Sequence, residues 1–341
     1  MATIKDVASR AGVSIATVSR VLNNSGPVSV AAAERIREAA DKLQYVPHGG
    51  ARALITAKTN TIGVLLPDLY GEFFSEVIRG IDQTAQRHGF HLLLSGSHGG
   101  KPEIDAAMHA MRGRTDGIIA MSPHLAVATL VENLRSPVPV VLLSCPPGDR
   151  DHHVISIDNV GGVRAMMAHL LSLGHRRIAM IRGASGNFDA DERLRGYREA
   201  LAEAGIGFDE SIVTPGDFTE AAGHRAAMEL VGRTPPPTAI FAANDATAVG
   251  AMSALREAEY RVPDDVTVVG FDDIPLARYM HPPLASVHVP ILELGARAAR
   301  RLIAALTGEP PPAVRHEQLA TRFVARGSCG SPPSPRRREL Q

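Results

Sequence analysis

Arg20 and the residues spaced around it have the chemistry of a reader of base edges and phosphates. An arginine donates two hydrogen bonds to guanine O6 and N7, and Ile15 and Ala16 suit a thymine methyl. Thr17, Ser19 and Asn23 are short donors fitted to phosphate oxygens, and Ser14, at the head of the same run, is grouped with them as a DNA contact. No set of residues makes an equal case for catalysis. Gly183-Ala184-Ser185-Gly186 falls one residue short of a Gly-x-Ser-x-Gly elbow, and there is no Gly-x-x-x-x-Gly-Lys loop for nucleotide phosphates. The 14 histidines do not converge: His152 and His153 are adjacent, and His169 and His175 lack a metal-site spacing. The chain is therefore read as a non-enzyme with no metal and no cofactor.

Positioning Arg20 requires two short helices around a tight turn. Thr3 is expected to cap the first by accepting a backbone N–H, with Asp6 as its box-like partner, and Ile4, Val7, Ala8 and Ala11 recur at helical spacing. Gly12 ends that helix in the left-handed conformation, and Ser14 caps a second one whose Val18, Val21 and Leu22 point inward. A third helix, from about Ser29 to Leu43, offers Ile36, Ala39, Ala40 and Leu43 to the same small core. On pattern alone a helix–glycine–helix unit also suits a hairpin inside a larger core.

The strings Lys5-Asp6-Val7-Ala8, Ala11-Gly12-Val13-Ser14 and Thr17-Val18-Ser19-Arg20-Val21-Leu22-Asn23, in this order, closely resemble the headpiece of the lactose-repressor (LacI/GalR) family of bacterial transcription regulators. The resemblance implies that the second helix enters the major groove and that the pair Ile15 and Ala16 helps choose the operator. Members often carry Thr-Arg where this chain has Ala32-Ala33, which removes a contact at the start of the third helix. Pro47, Ala51, Arg52 and Leu54 match the family's hinge, in which a short helix forms on DNA and a leucine at the position of Leu54 wedges into the minor groove. Asn is usual where His48 stands. Gly49-Gly50 is a poor helical start, each glycine costing about 0.8–1 kcal/mol relative to alanine inside a helix.

A chain of 341 residues has room for two or three domains. The zero formal charge would argue against nucleic acid if charge were spread evenly. It is not: residues 1–60 hold eight bases and four acids, so a basic module is joined to a mildly acidic body. Cys145 and Cys329 are the only cysteines and show no paired spacing, which suits a reducing compartment. With no signal-like or membrane-length apolar run, the expectation is a cytoplasmic protein without a membrane partner.

From Thr61 onward, strands alternate with amphipathic helices. The strand candidates are Ile62–Pro67, His91–Ser95, Gly117–Met121, Val138–Ser144, Val154–Ile157, Arg177–Ile181, Ser211–Thr214, Thr238–Ala242 and Val266–Phe271. Short apolar runs bounded by Gly, Asp or Pro predict an α/β body of doubly wound parallel sheets. They fall into two similar halves, roughly Thr61–Asp158 and Gly161–Pro290, facing a cleft. The resemblance runs to about Ser328; it implies a two-lobed, periplasmic-binding-protein-like body, with the helix near Leu292–Leu306 returning to the first lobe. Polar residues interrupt two strand ends, at Asn244-Asp245 and Asp272-Asp273, where a hydroxyl-rich ligand would find partners. The resemblance places Arg193, Asn244 and Asp272 in the effector cleft, Phe218 at a stacking position, Phe73 and Phe74 at the first lobe's rim, and Asp158 nearby. Asp245 and Asp273 suit helix caps equally well.

The sequence thus predicts a helix-turn-helix headpiece over 1–46, a hinge and linker over 47–60, a two-lobed effector-binding and dimerisation body over 61–328, and a disordered tail over 329–341. The expected function is a homodimeric repressor of a near-palindromic double-stranded operator, controlled by a small effector, a sugar or sugar derivative. The competing expectation is a small-molecule-binding or sugar-processing protein whose first helices serve only assembly.

Overall fold

A computed structural model of the chain describes residues 2–23, 26–45, 58–97, 101–121, 123, 138–146, 152–310 and 314–333. The chain divides into two compact units, one built on the first 61 residues together with Gly113–Asp116 and one on the rest.

The first unit contains three helices, α1 (Ile4–Ala11), α2 (Ile15–Asn23) and α3 (Val30–Lys42). The Asp6 carboxylate accepts both the backbone N–H and the hydroxyl of Thr3, at 2.8 Å each. The reciprocal capping box between Thr3 and Asp6 that the spacing predicts is present, and the bonds from Thr3 hold the Asp6 carboxyl below its usual range. Gly12 ends α1 at φ 63°, a left-handed conformation that costs glycine little. The Ser14 hydroxyl caps α2 by accepting the Thr17 N–H at 3.1 Å. Val7, Ala8, Ala11, Val18, Ile36, Ala39 and Ala40 form the core, with Ile4, Val21, Leu22 and Leu43 packed around it, as the periodicity predicts.

The second unit carries two six-stranded sheets. The first has strand order β11-β5-β4-β3-β1-β2, where β1 is Thr61–Leu66, β2 His91–Gly96, β3 Gly117–Met121, β4 Val140–Leu143, β5 His153–Ile157 and β11 His316–Leu319. The second has order β12-β10-β9-β8-β6-β7, where β6 is Ile178–Ile181, β7 Val213–Thr214, β8 Ala239–Ala242, β9 Thr267–Asp272, β10 Ala285–His288 and β12 Arg322–Val324. Pairing is parallel along β1, β3, β4, β5 and β11, and along β7, β6, β8, β9 and β10; β12 runs antiparallel to β10. Strands β3, β6, β8 and β9 are buried throughout, which is why they read as unbroken apolar runs.

Helices α4 (Glu72–Arg87) and α5 (Lys101–Met111) belong to the first lobe, and α6 (Asn159–Ser172), α7 (Phe188–Glu203), α8 (Glu220–Val231) and α9 (Asp245–Glu257) to the second. The last described helix, α10 (Ile291–Thr307), packs on α4 and on β3, β4 and β5, so the chain does return to the first lobe there. It crosses again between β11 and β12. Three strands escaped the sequence reading for physical reasons. β10 carries Ser286 and His288, β11 is the polar edge His-Glu-Gln-Leu, and β12 has three residues. The expected Ser211–Thr214 strand is a 3-10 turn over Glu210–Ile212 followed by the short β7.

Each lobe seats one helix pair through reciprocal glycines. A Cβ on Gly80 of α4 would overlap the Leu292 carbonyl of α10, and one on Gly295 of α10 would overlap the Val77 carbonyl of α4. Gly223 and Gly250 stand in the same relation across α8 and α9, against the carbonyls of Thr247 and Glu220. Backbone cannot yield as a flexible side chain does, so overpacking here forces the helices apart. Gly80→Ala is expected to lower unfolding free energy by about 1–3 kcal/mol in urea titration; an unchanged midpoint would contradict the close-packed crossing.

Candidate nucleic-acid interface and ligand cleft

Helix α2 keeps Val18 fully buried and turns Ser14, Ile15, Ala16 and Arg20 to solvent, with Thr17 and Ser19 half-buried between them. Ile15 is 45% exposed, an apolar side chain presented outward on the helix that also exposes Arg20. The Ser14 hydroxyl lies 2.9 Å from that of Thr17, so both are preorganised at the helix start, where backbone N–H groups favour a phosphate. The side chain of Asn23 lies outside the described residues, as do Leu54 and the whole Pro47–Leu54 segment.

In the second unit, strand ends and helix N-termini enclose a cavity of about 410 Å³. Phe73, Phe74, Arg193, Phe218, Asn244 and Asp272 all line it, so six of the seven residues predicted for the ligand are brought together. Asp158 is the exception. Its carboxylate accepts the Gly161 N–H at 2.9 Å and caps α6, and it does not line the cavity. A carboxylate already spent on a helix N-terminus fits the sequence pattern around Asn159-Val160-Gly161 as well as a ligand group does.

Arg193 organises the floor of the cleft. It is buried, and its Nε donates to Asn159 Oδ1 at 2.9 Å, Nη1 to the Ala243 carbonyl at 2.5 Å and Nη2 to Asp272 Oδ1 at 3.3 Å. The guanidinium carbon lies 3.8 Å from the centre of the Phe271 ring and 5.8 Å from that of Phe218. Asn159 passes the network on, its Nδ2 donating to Asp189 Oδ1 at 2.7 Å. Burial pushes the Asp272 carboxyl up to about 7, with Asp189 adding to the shift and Arg193 opposing it. Burial also raises Asp189, against the pull of Arg193 and the Asn159 hydrogen bond.

Asn244 serves two masters: its Oδ1 caps α9 by accepting the Thr247 N–H at 2.9 Å, and its Nδ2 donates to the Phe218 carbonyl at 3.1 Å. The second bond fixes Phe218, whose backbone is left-handed at φ 72° and whose ring occupies the space a Cβ on Gly183 would need. Asp245 and Asp273 are neither caps nor cleft residues. Asp245 accepts the Ser286 hydroxyl and the Ile274 N–H, at 2.6 and 2.8 Å, while Asp273 pairs with His288 and Arg326. Phe73 and Phe74 meet edge to face, ring centres 5.5 Å apart, with Tyr70 exposed beside them at the first lobe's rim. Two backbone donors cross between the lobes: Leu276 N–H to Glu72 Oε2 and Phe188 N–H to the Pro123 carbonyl, both at 2.9 Å.

The sequence reading missed Asn159 and Asp189 as parts of this site. Asp189 was within reach, since it stands four residues before Arg193 and so shares its face of α7. Asn159 gave no such signal, because only the tertiary fold brings α6 against Arg193.

A helix-turn-helix unit with an outward-facing reader and a two-lobed α/β body around an arginine-floored cleft define a ligand-responsive DNA-binding protein. Bacterial regulatory proteins of the lacI family match residues 3–48, and the periplasmic binding protein-like domain matches residues 167–329. The chain is 37% identical over 333 residues to the HTH-type transcriptional regulator CelR of Thermobifida fusca, covering 96% of this chain and 98% of that one. It is 36% identical over 331 residues to the ribose operon repressor of Escherichia coli (strain K12), covering 96% and 100%. A lac repressor dimer bound to operator and the anti-inducer ONPF has a similar structure, with a TM-score of 0.84 at 29% identity over 96% of this chain and 98% of that one. The chain belongs to the LacI/GalR family, and it is a DNA-binding transcriptional regulator, not an enzyme. Among the described residues no helix is long and apolar enough to cross a membrane.

The Asp272 carboxyl gives the cleft a testable pH signature. Its value in the fold, about 7, lies above the 3.8 of an ordinary aspartate, so the folded state holds the proton longer than the unfolded one. The stabilisation this supplies is complete below about pH 4 and is lost as pH rises through 7. Unfolding free energy is expected to fall across that window by an amount on the order of a few kcal/mol. Asp272→Asn flattens that slope in denaturant titrations from pH 4 to 8. A slope identical to that of the parent would contradict the assignment.

Proposed function

We propose that the protein is a homodimeric repressor. Helix α2 of each headpiece reads one half of a near-palindromic operator, and operator affinity is set by a sugar or sugar derivative held in the cleft. The observation that carries this reading is the pairing, in one chain, of the solvent-facing Ile15, Ala16 and Arg20 with a cleft that converges Arg193, Asn244 and Asp272 on aromatic walls. Ser14, Thr17, Ser19 and Asn23 take phosphate oxygens in this reading, and Leu54 enters the minor groove from a hinge over 47–60. A two-fold protein dimer presents two reading helices related by the operator's own symmetry.

Relatives support the ligand class: one solved structure is a transcriptional regulator CelR–cellobiose complex, at a TM-score of 0.73 and 34% identity, over 96% of this chain and 100% of that one. A pyranose ring laid against Phe218 or Phe73 would offer its hydroxyls to Asn244, Asp272 and Arg193. A ligand touching both lobes draws Phe73 and Phe74 toward Arg193 and Asn244, adding to the two hydrogen bonds that already cross the cleft. It shifts DNA affinity only by its differential affinity for the two lobe arrangements. Such a protein works beside the chromosome, in the cytoplasm.

Selection of bound sequences from random duplex DNA, at stated salt and with or without a panel of sugars, tests the proposal. It predicts one near-palindromic motif whose recovery responds to one compound. Arg20→Ala weakens binding to that motif by at least about 30-fold, the worth of two bidentate base contacts, one in each half-site. Recovery of no motif, or of the same motif at the same strength by Arg20→Ala, would overturn it.

A further inference from the structure

The six carboxylates lining the cleft, Asp68, Glu72, Asp189, Asp217, Glu220 and Asp272, face a single cation among its described lining residues, Arg193. That cation is already engaged, by Asn159, the Ala243 carbonyl and Asp272, and its face lies on Phe271. We infer that the cleft admits uncharged, hydroxyl-rich ligands and refuses phosphorylated or carboxylated ones, with Asp189 as a specificity-determining residue. The inference rests on the sugar-effector reading above and narrows it.

The parallel sheets would ordinarily argue the reverse. Their strand ends aim helix N-termini at the cleft, and helix N-termini attract anions through the dipole and unpaired N–H groups. Here three of those positive ends already carry an acid in the first turn that lines the cavity: Glu72 on α4, Asp189 on α7 and Glu220 on α8. On α7, α8 and α9 part of the N–H set is also answered locally. Asn187 accepts from Ala190, Thr219 from Ala222 and Asn244 from Thr247, while the Phe188 N–H is held by the Pro123 carbonyl. A phosphate entering this site would meet repulsion from the first-turn carboxylates and compete with the caps on α7, α8 and α9; among these four helices only α4, whose first residue is Glu72, lacks a side-chain cap.

An uncharged polyol meets none of that repulsion. The carboxylates are hydrogen-bond acceptors for its hydroxyls, and Tyr70, Phe73, Phe74 and Phe218 present faces for its C–H surface. Asp189 lies closest to the decision, because Asn159 holds its carboxylate within the Arg193 network while it lines the cavity. The raised Asp272 carboxyl, due first to burial and in part to Asp189, reports the same excess of negative field.

The test is calorimetric titration of the full chain with matched pairs: glucose and glucose 6-phosphate, galactose and galacturonate, ribose and ribose 5-phosphate, with cellobiose alongside. The uncharged member of at least one pair is expected to bind, and its anionic partner at least tenfold more weakly. Asp189→Asn is expected to narrow that ratio by threefold or more, with Glu220→Gln as a second charge-removing variant should the first fail to fold. An anion that binds as tightly as its parent overturns the inference and leaves the sugar-effector reading standing. An unchanged ratio in both variants removes the role given to these carboxylates. If a folded chain, shown by its cooperative melting, binds no sugar at all, the sugar reading falls and this inference with it.

Discussion

A buried guanidinium cannot shed its charge, so the protein around Arg193 must supply acceptors in fixed positions. It does so from three elements at once: Asn159 at the start of α6, the Ala243 carbonyl at the end of β8 and Asp272 at the end of β9. Each hydrogen bond restrains one piece of the cleft floor. One turn further along α7, the buried Tyr197 donates its hydroxyl to the Ile178 carbonyl at 2.7 Å and fastens the same helix face to β6. Between them, Gly196 lets α7 approach the backbone of Val160. The floor is therefore preorganised before any ligand arrives, and the cost of ordering it falls on folding rather than on binding.

Four neighbouring acids and amides at the strand ends divide their labour by depth. Asn244 caps α9 and orients Phe218; Asp245, fully buried and raised well above an ordinary aspartate by burial, ties Ser286 to Ile274. Asp272 faces the cleft with its backbone at φ 109°. Asp273 binds His288 and Arg326 beside the crossover that leads into α10. The result joins the ligand floor to one of the segments linking the lobes.

How much of this was legible in the sequence depended on whether the signal was local. The described headpiece was legible almost whole, because helical spacing, the Thr3–Asp6 box, Gly12 and Ser14 are local features and its core is small. Central strands such as β8 and β9 were equally plain, since burial on both faces leaves an apolar run. The polar edge β11 and the three-residue β12 were invisible, because their place is set by partners far along the chain. Arg193, Asn244 and Asp272 came from family resemblance, and the structure puts them in one cleft. The misplacement of Asp158 and the omission of Asn159 have one cause: adjacent polar residues at a helix start can turn to cap or to site, and only the packing of α6 against α7 decides.

In the function proposed here, a cleft in one unit and a reading helix in the other are thermodynamically joined. Linkage makes that coupling reciprocal: any factor by which a sugar changes operator affinity must equal the factor by which operator changes sugar affinity. The most direct measurement is the affinity of the best-binding sugar for the full chain, taken free and again with saturating operator duplex, beside operator affinity with and without that sugar. Two equal factors, both different from one, are expected. A sugar affinity unchanged by operator, with the duplex demonstrably bound, would show that cleft and headpiece act independently and would contradict that coupling.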